Sequence, residues 1–321
     1  MNKVPRPVFV VGNWRSGTTI TAKLLNCLPQ THIAKETGFI TESLELLKQV
    51  PAPQAMTPLL AHVNSWLLTN GWSGRVSFDG FDSFCQQTGF VGPRAFLYYV
   101  WTLDSPQPIS ELRWIGDNTP LYLLAIPELL ELLPDAHFIH VVRDPRDVIC
   151  STLKLRFGAH QALIGAMDWN TCLGAWLTAE KYLEDRVRTS FRYEDLCTDS
   201  VPVMQQLATF LGFQAGAAEL ALQQQSVSSA EATGFGRVAE SAHHRNLAKP
   251  LSAASVGRYR RGLTREQIRQ IEVTARAGML ACGYQTEAEG LHPLATENRL
   301  QILRAMVEDT LRRCWSRMCG R

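Results

Sequence analysis

Short apolar runs alternate along this chain with longer stretches of helical period. Val8 to Val11 form the first run, followed by a Gly-bounded turn and an apolar-periodic segment, Thr18 to Leu28, that Pro29 stops. A second helix is predicted over Thr37 to Gln49, where Pro51, Pro53 and Pro58 break the pattern. From Trp66 to Trp101 the chain is rich in Gly and aromatics, including Trp72, Phe78, Phe81, Phe84, Phe90, Phe96, Tyr98 and Tyr99, without a clear period. Such an insertion beside the core either lines a pocket or forms a helical subcore. Alternation then resumes. Arg113 to Gly116 reads as a short strand, Pro120 to Leu133 as a helix, and His137 to Val142 as a buried strand. Helices follow over Pro145 to Leu155 and Trp169 to Arg188, and Thr189 to Tyr193 is a further short strand.

Strands alternating with long helices predict an α/β fold, a three-layer α/β/α domain of P-loop type around a central parallel sheet. Ligands of such sheets bind at the carboxyl ends of the strands. The later chain reads as helices over Val203 to Leu211 and Glu219 to Gln225, a long polar segment, 226–259, of the kind that forms lids, and helices over Thr264 to Ala281 and Glu297 to Met318. With 321 residues, one domain with insertions is expected (1–321), comprising the aromatic-rich insertion at 66–101, the lid and a C-terminal helix at 297–321.

Composition removes several function classes. Lys plus Arg number 32 against 30 Asp plus Glu, a net charge of +2, which gives no electrostatic case for nucleic acid. Any anion site must therefore be local. The eight cysteines form no C-x-x-C pair and no zinc-spaced cluster, so buried free thiols and no metal are expected. No apolar run reaches the length of a membrane span, and the first strand starts too early to leave room for a signal peptide. The expectation is a soluble, cytoplasmic protein, with a homodimer left open.

Chemistry concentrates in two segments. The first is Gly12-Asn-Trp-Arg-Ser-Gly-Thr-Thr19, between strand and helix. Backbone N–H groups and the positive end of a helix dipole surround an anion in this context. Thr18 stands where a nucleoside-triphosphatase loop has its lysine, and Arg15 supplies a cation earlier in the loop. The loop suits a nucleotide that needs no metal. The second segment is Phe138 to Ser151, in which a strand delivers Arg143 and a helix carries Ser151 two turns later. A guanidinium fork and a hydroxyl on one side can grip a second phosphate. On its own, Arg143-Asp144-Pro145 is also an ordinary strand-to-helix turn with Asp144 as cap. Together, the two segments describe a nucleotide with phosphates at its 5′ and 3′ positions.

Trp14 to Thr19 and Arg143 to Ser151 together resemble the signature of sulfotransferases that use 3′-phosphoadenosine 5′-phosphosulfate (PAPS), and the resemblance extends over roughly Pro7 to Leu263. It implies that Arg15, Ser16, Gly17, Thr18 and Thr19 bind the 5′-phosphosulfate and that Arg143 and Ser151 bind the 3′-phosphate. The tyrosylprotein sulfotransferase branch and its bacterial relatives, which carry Arg in the first loop, are the most similar. In that branch the Glu of a Glu-Thr pair is the catalytic base; Glu36-Thr37 occupies that place here, with Glu36 following Arg15 by 21 residues. A plain alternative for Glu36 is a first-turn carboxylate that favours a helix dipole. Asp117-Asn118-Thr119-Pro120 resembles the family's K-[ST]-P element, with Asn118 in place of a lysine that assists the transferring group. Tyr193, in Tyr193-Glu-Asp-Leu196, and Arg258, in Ser255-Val-Gly-Arg-Tyr259, match elements near the nucleotide, and Lys154 or Arg156 is a further contact candidate.

The resemblance implies transfer of a sulfuryl group from PAPS to an acceptor hydroxyl, with Glu36 as base, Arg15 meeting developing charge, and 3′,5′-adenosine bisphosphate as product. The acceptor is expected to be a small molecule, glycan or lipid-linked hydroxyl rather than protein tyrosine, because the chain lacks a marked basic excess. Two other readings stay open. One is a P-loop kinase, weakened by Thr18 and by the lack of an evident Mg²⁺-binding Asp at a strand end. The other is a non-catalytic PAPS-binding scaffold. The arginines of the C-terminal helix (Arg304, Arg312, Arg313, Arg317, Arg321) either touch a partner or anionic surface or form a solvated face.

Overall fold

A computed structural model describes residues 4–153, 161–214, 216 and 253–287. The Glu219 to Gln225 helix, all but the end of the 226–259 segment, the 297–321 helix, Lys154 and Arg156 lie outside the described residues.

Five parallel strands form the sheet: β1 (Arg6–Gly12), β2 (Thr31–Ala34), β3 (Trp114–Asp117), β4 (His137–Val142) and β5 (Arg188–Arg192), in the order β2-β3-β1-β4-β5. Pairing sets Phe9 opposite both Asp117 and Phe138, and Gly12 opposite Val141. The central strands are apolar on both faces because both are covered. Phe9, Val11, Ile115 and Phe138 point into one core, and Val8, Val10, Ile33, Ile139 and Val141 into the other, following the period of two along a strand.

The Val8 core is covered by α1 (Thr18–Leu25) and a later helix, Ser200–Phe210. The larger Phe9 core is covered by α2 (Leu44–Lys48), α3 (Pro53–Thr69), α4 (Phe78–Thr88), α5 (Gly92–Thr102) and α6 (Ile126–Leu132). The aromatic-rich stretch is thus helical. Phe81, Phe84, Phe96, Tyr98 and Trp101 are buried in the sheet-facing core, with Phe9 packing edge-on against Trp101. A third core joins α7 (Pro145–Thr152), α8 (Ala162–Ala179) and the Arg265–Ala281 helix. Numbering in chain order, α9 is Tyr193–Thr198, α10 is Ser200–Phe210 and α11 is Arg265–Ala281.

Several elements differ from expectation. α3 runs from Pro53 through Pro58 to Thr69, where the sequence predicts a break; Pro53 occupies its first turn, where a missing N–H costs no helix hydrogen bond. β2 is a strand that the pattern did not announce; its four residues, Thr-His-Ile-Ala, are too few to display a period and are fully buried. The helix expected from Thr37 begins only at Leu44, because the N–H groups of Thr37 and Gly38 donate to side chains across the sheet end and Gly38 has φ of 60°. Helix α8 starts earlier and ends nine residues before Arg188, since Trp169, Leu173 and Trp176 supply its buried stripe.

Candidate active site

The carboxyl ends of all five strands open on one edge, and the residues singled out above follow those ends. The loop after β1 is shaped by backbone conformations of positive φ at Arg15 (67°) and Gly17 (110°). Gly17 is required twice over: an added Cβ would lie 2.4 Å from a Tyr193 ring carbon, and φ is one that L side chains rarely adopt. Arg15 holds a left-handed conformation with a full side chain, a strain that clusters at functional sites. Ser16 turns back into the loop, its hydroxyl donating to the Asn13 carbonyl at 2.7 Å, while Thr18 and Thr19 open α1.

The two anion-binding segments meet. Arg15 Nε donates to Ser151 Oγ at 3.1 Å, and Arg143 Nη1 donates to the Arg15 carbonyl at 2.9 Å. Arg143 Nη2 donates to the Ser255 carbonyl at 2.7 Å, and its guanidinium stacks 4.3 Å from the centre of the Tyr193 ring. Burial lowers the Arg15 pKa, Arg143 and Arg258 press it down further, and Glu36 opposes them. Arg15 thus sits in the field of two further guanidinium groups, an arrangement that an anion relieves. Arg143 Nε is buried without a partner among the described residues, a donor left for a ligand. These residues fit a nucleotide with separated phosphates.

Glu36 follows β2. Burial and then the Asp117 carboxylate raise its pKa to about 7, with Arg15 pulling the other way. Asp117 ends β3 and is fully buried. Its Oδ2 accepts from the N–H of Thr37 at 3.2 Å and from the Thr37 hydroxyl, and its Oδ1 accepts from the N–H of Thr119 at 2.5 Å. Thr119 Oγ1 accepts from the Thr37 and Gly38 N–H groups at 3.1 Å each. Tyr122 adds a hydroxyl 3.1 Å from Thr37 Oγ1. Burial raises the Asp117 pKa to about 6 against these hydrogen bonds.

Sequence reasoning included Asp117 in a family match and missed what it holds. Its place in the Asp117-Asn118-Thr119-Pro120 match was the available signal; its partner Thr37, 80 residues earlier, left none. It is also the strand-end aspartate whose apparent lack weakened the kinase reading; both of its oxygens are taken by Thr37 and Thr119. Asn118 is fully buried, with Oδ1 and Nδ2 unpartnered among the described residues.

A family model described as Sulfotransferase family matches residues 7–215. The chain belongs to the sulfotransferase family. The omega-hydroxy-beta-dihydromenaquinone-9 sulfotransferases Stf3 of Mycobacterium bovis and Mycobacterium tuberculosis are each 25% identical to it over 248 residues, 64% of this chain and 62% of theirs. The chain thus spans less than two thirds of those relatives' length. The sulfotransferase domain from the curacin biosynthetic pathway shares the fold, with a TM-score of 0.56 at 14% identity over 88% of this chain and 99% of that domain. Among the described residues of this sulfotransferase family member, no helix is long and apolar enough to cross a membrane.

Proposed function

We propose that this sulfotransferase family member moves the sulfuryl group of PAPS to an acceptor hydroxyl. The observation that carries the reading is the meeting of Arg15, Arg143 and Ser151 at one point, with Glu36 within electrostatic reach of Arg15. The donor supplies the sulfuryl group and leaves as 3′,5′-adenosine bisphosphate. Glu36 takes the proton of the acceptor hydroxyl as its oxygen attacks sulfur. A base with a pKa near the working pH is well matched to that transfer. Arg15, the loop N–H groups and the hydroxyls of Thr18 and Thr19 face the negative charge that develops on the leaving oxygen, the kind of preorganised donor set that commonly dominates catalysis. Arg143, Ser151, Tyr193 and Arg258 hold the 3′-phosphate end.

For the acceptor, the name of the mycobacterial relatives favours a hydroxyl on an apolar, lipid-linked carrier. Trp14 is compatible with this, keeping 38% of its surface exposed next to Arg15. Calorimetric titration with 3′,5′-adenosine bisphosphate and with ATP, both without Mg²⁺, tests the donor site. Binding of the bisphosphate alone, lost in Arg143→Ala, is expected. Indifference to both nucleotides overturns the reading, and Mg²⁺-dependent ATP turnover would replace it with a kinase.

A further inference from the structure

Asp144, Arg146 and Asp147 of the Arg143-Asp-Pro-Arg-Asp147 segment take no part in the chemistry above, yet all three are buried. Asp147 is turned away from its own helix. Its Oδ2 accepts the N–H of Gly257 at 2.7 Å and its Oδ1 the N–H of Tyr259 at 2.9 Å. The residue between those two amides is Arg258. Gly257 has φ of 71°, a conformation that brings both N–H groups to the same carboxylate. The rest of the segment supports the same stretch: Arg143 holds the Ser255 carbonyl at 2.7 Å, and the Arg146 guanidinium lies 4.3 Å from the centre of the Tyr259 ring. Arg146 is fixed in turn by Asp144 at 2.7 Å and by Glu272 at 2.6 Å. Arg258 is close enough to Arg15 for its charge to be felt there.

We propose that Asp147 is a positioning residue of the donor site, bracketing the backbone on either side of Arg258 so that its guanidinium stands over the anion site of Arg15, Arg143 and Ser151. The inference rests on the PAPS reading of that site. Its chemistry is specific, because a carboxylate accepts on both oxygens, whereas an amide at this position accepts on one and sets an N–H₂ against the second N–H.

The test is a double-mutant cycle read by calorimetry on the whole chain, with 3′,5′-adenosine bisphosphate and adenosine 5′-monophosphate as ligands. Asp147→Asn and Arg258→Ala are each expected to weaken the bisphosphate by about tenfold or more, as for a lost charged hydrogen bond, and to leave the monophosphate unchanged. The double variant should bind no more weakly than Arg258→Ala alone. Losses that multiply in the double variant, or an equal loss for both nucleotides in Asp147→Asn, overturn the inference and leave the donor reading standing. Wild-type protein that does not prefer the bisphosphate overturns the donor reading and the inference together. If Asp147→Asn fails to fold, Asp147→Glu, which keeps the charge but displaces the carboxylate by one methylene, enters the same cycle with the same outcomes. Faster amide exchange at Gly257 and Tyr259 in that variant is the accompanying expectation.

Discussion

Glu36 ionises near pH 7 because it is held where water solvates it poorly and where Asp117 adds a second negative charge. If it is the base, kcat/KM rises with pH through about 7 as the carboxyl loses its proton, and Glu36→Gln removes that limb with a fall in kcat of about 10² to 10⁴. Bisphosphate affinity should change little, which separates a lost base from a lost site. Asp117→Asn removes the neighbouring charge, so the limb should move to lower pH while the slackened Thr37 anchor lowers kcat. An unmoved limb would reduce Asp117 to a purely structural residue. The same shifts act on stability. Both carboxyls have pKa values raised above their ordinary ones, so between about pH 4 and 7 the folded chain binds more protons than the unfolded one and is destabilised as pH rises. Glu36→Gln should therefore melt higher than wild type at pH 8, by about 2–4 °C for each kcal/mol relieved, and show no advantage at pH 4. Glu36 is a candidate through the family resemblance, by its Glu-Thr pair and its spacing from Arg15. The role of Asp117 was not legible, because it depends on Thr37, which only the β2-β3 pairing brings beside it.

At the scale of elements, the loop between β1 and α1 is fixed as much by Tyr193 as by its own sequence. Gly17→Ala would place a Cβ 2.4 Å from that ring in a backbone conformation strained for any L residue. Strain of this kind costs about 1–3 kcal/mol, so bisphosphate affinity should fall by roughly 10- to 100-fold in calorimetry. Unchanged affinity would mean that the loop does not cradle the nucleotide. What the sequence disclosed at this scale follows from how much signal each element carries. β1 carries a continuous apolar run, Val8 to Val11, and β4 sets four apolar residues around His137 and His140, beside Gly or Arg-Asp-Pro punctuation, and both were readable with their helices. β2 has four residues and no period, and 37–43 carries helix-compatible residues whose backbone is instead claimed by Asp117 and Thr119. The aromatic stretch from Trp66 left two readings open because its helices bury several faces at once. In α5, seven successive residues from Ala95 to Trp101 are buried, which erases the amphipathic stripe.

Across the molecule, the proposed donor site is tied to a distant helix. Glu272 of α11 is fully buried; it accepts from Arg146 at 2.6 Å and from the Glu287 N–H at 3.0 Å, and so ties α11 to the Arg143–Asp147 segment and through Arg146 to Tyr259. Stripping a buried charge of its partners costs about 3–5 kcal/mol; Arg146 keeps Asp144 when Glu272 is lost, so the cost here is a part of that. Glu272→Ala should accordingly lower Tm by roughly 5 °C and weaken bisphosphate binding as Tyr259 and Arg258 lose support. Replacing all three charges of the network separates the two effects. Arg146→Met with Glu272→Leu and Asp144→Asn removes all three charges of the buried network while keeping a side-chain acceptor at the start of α7, and exchanges of buried ion pairs for uncharged groups are often neutral for stability. The triple variant should recover most of the Tm, yet it lacks the cation beneath the Tyr259 ring. Bisphosphate affinity should therefore remain low in a protein that melts near wild type. Recovery of affinity along with Tm would mean that the network serves folding alone; a Tm that stays low would mean that uncharged groups cannot replace it.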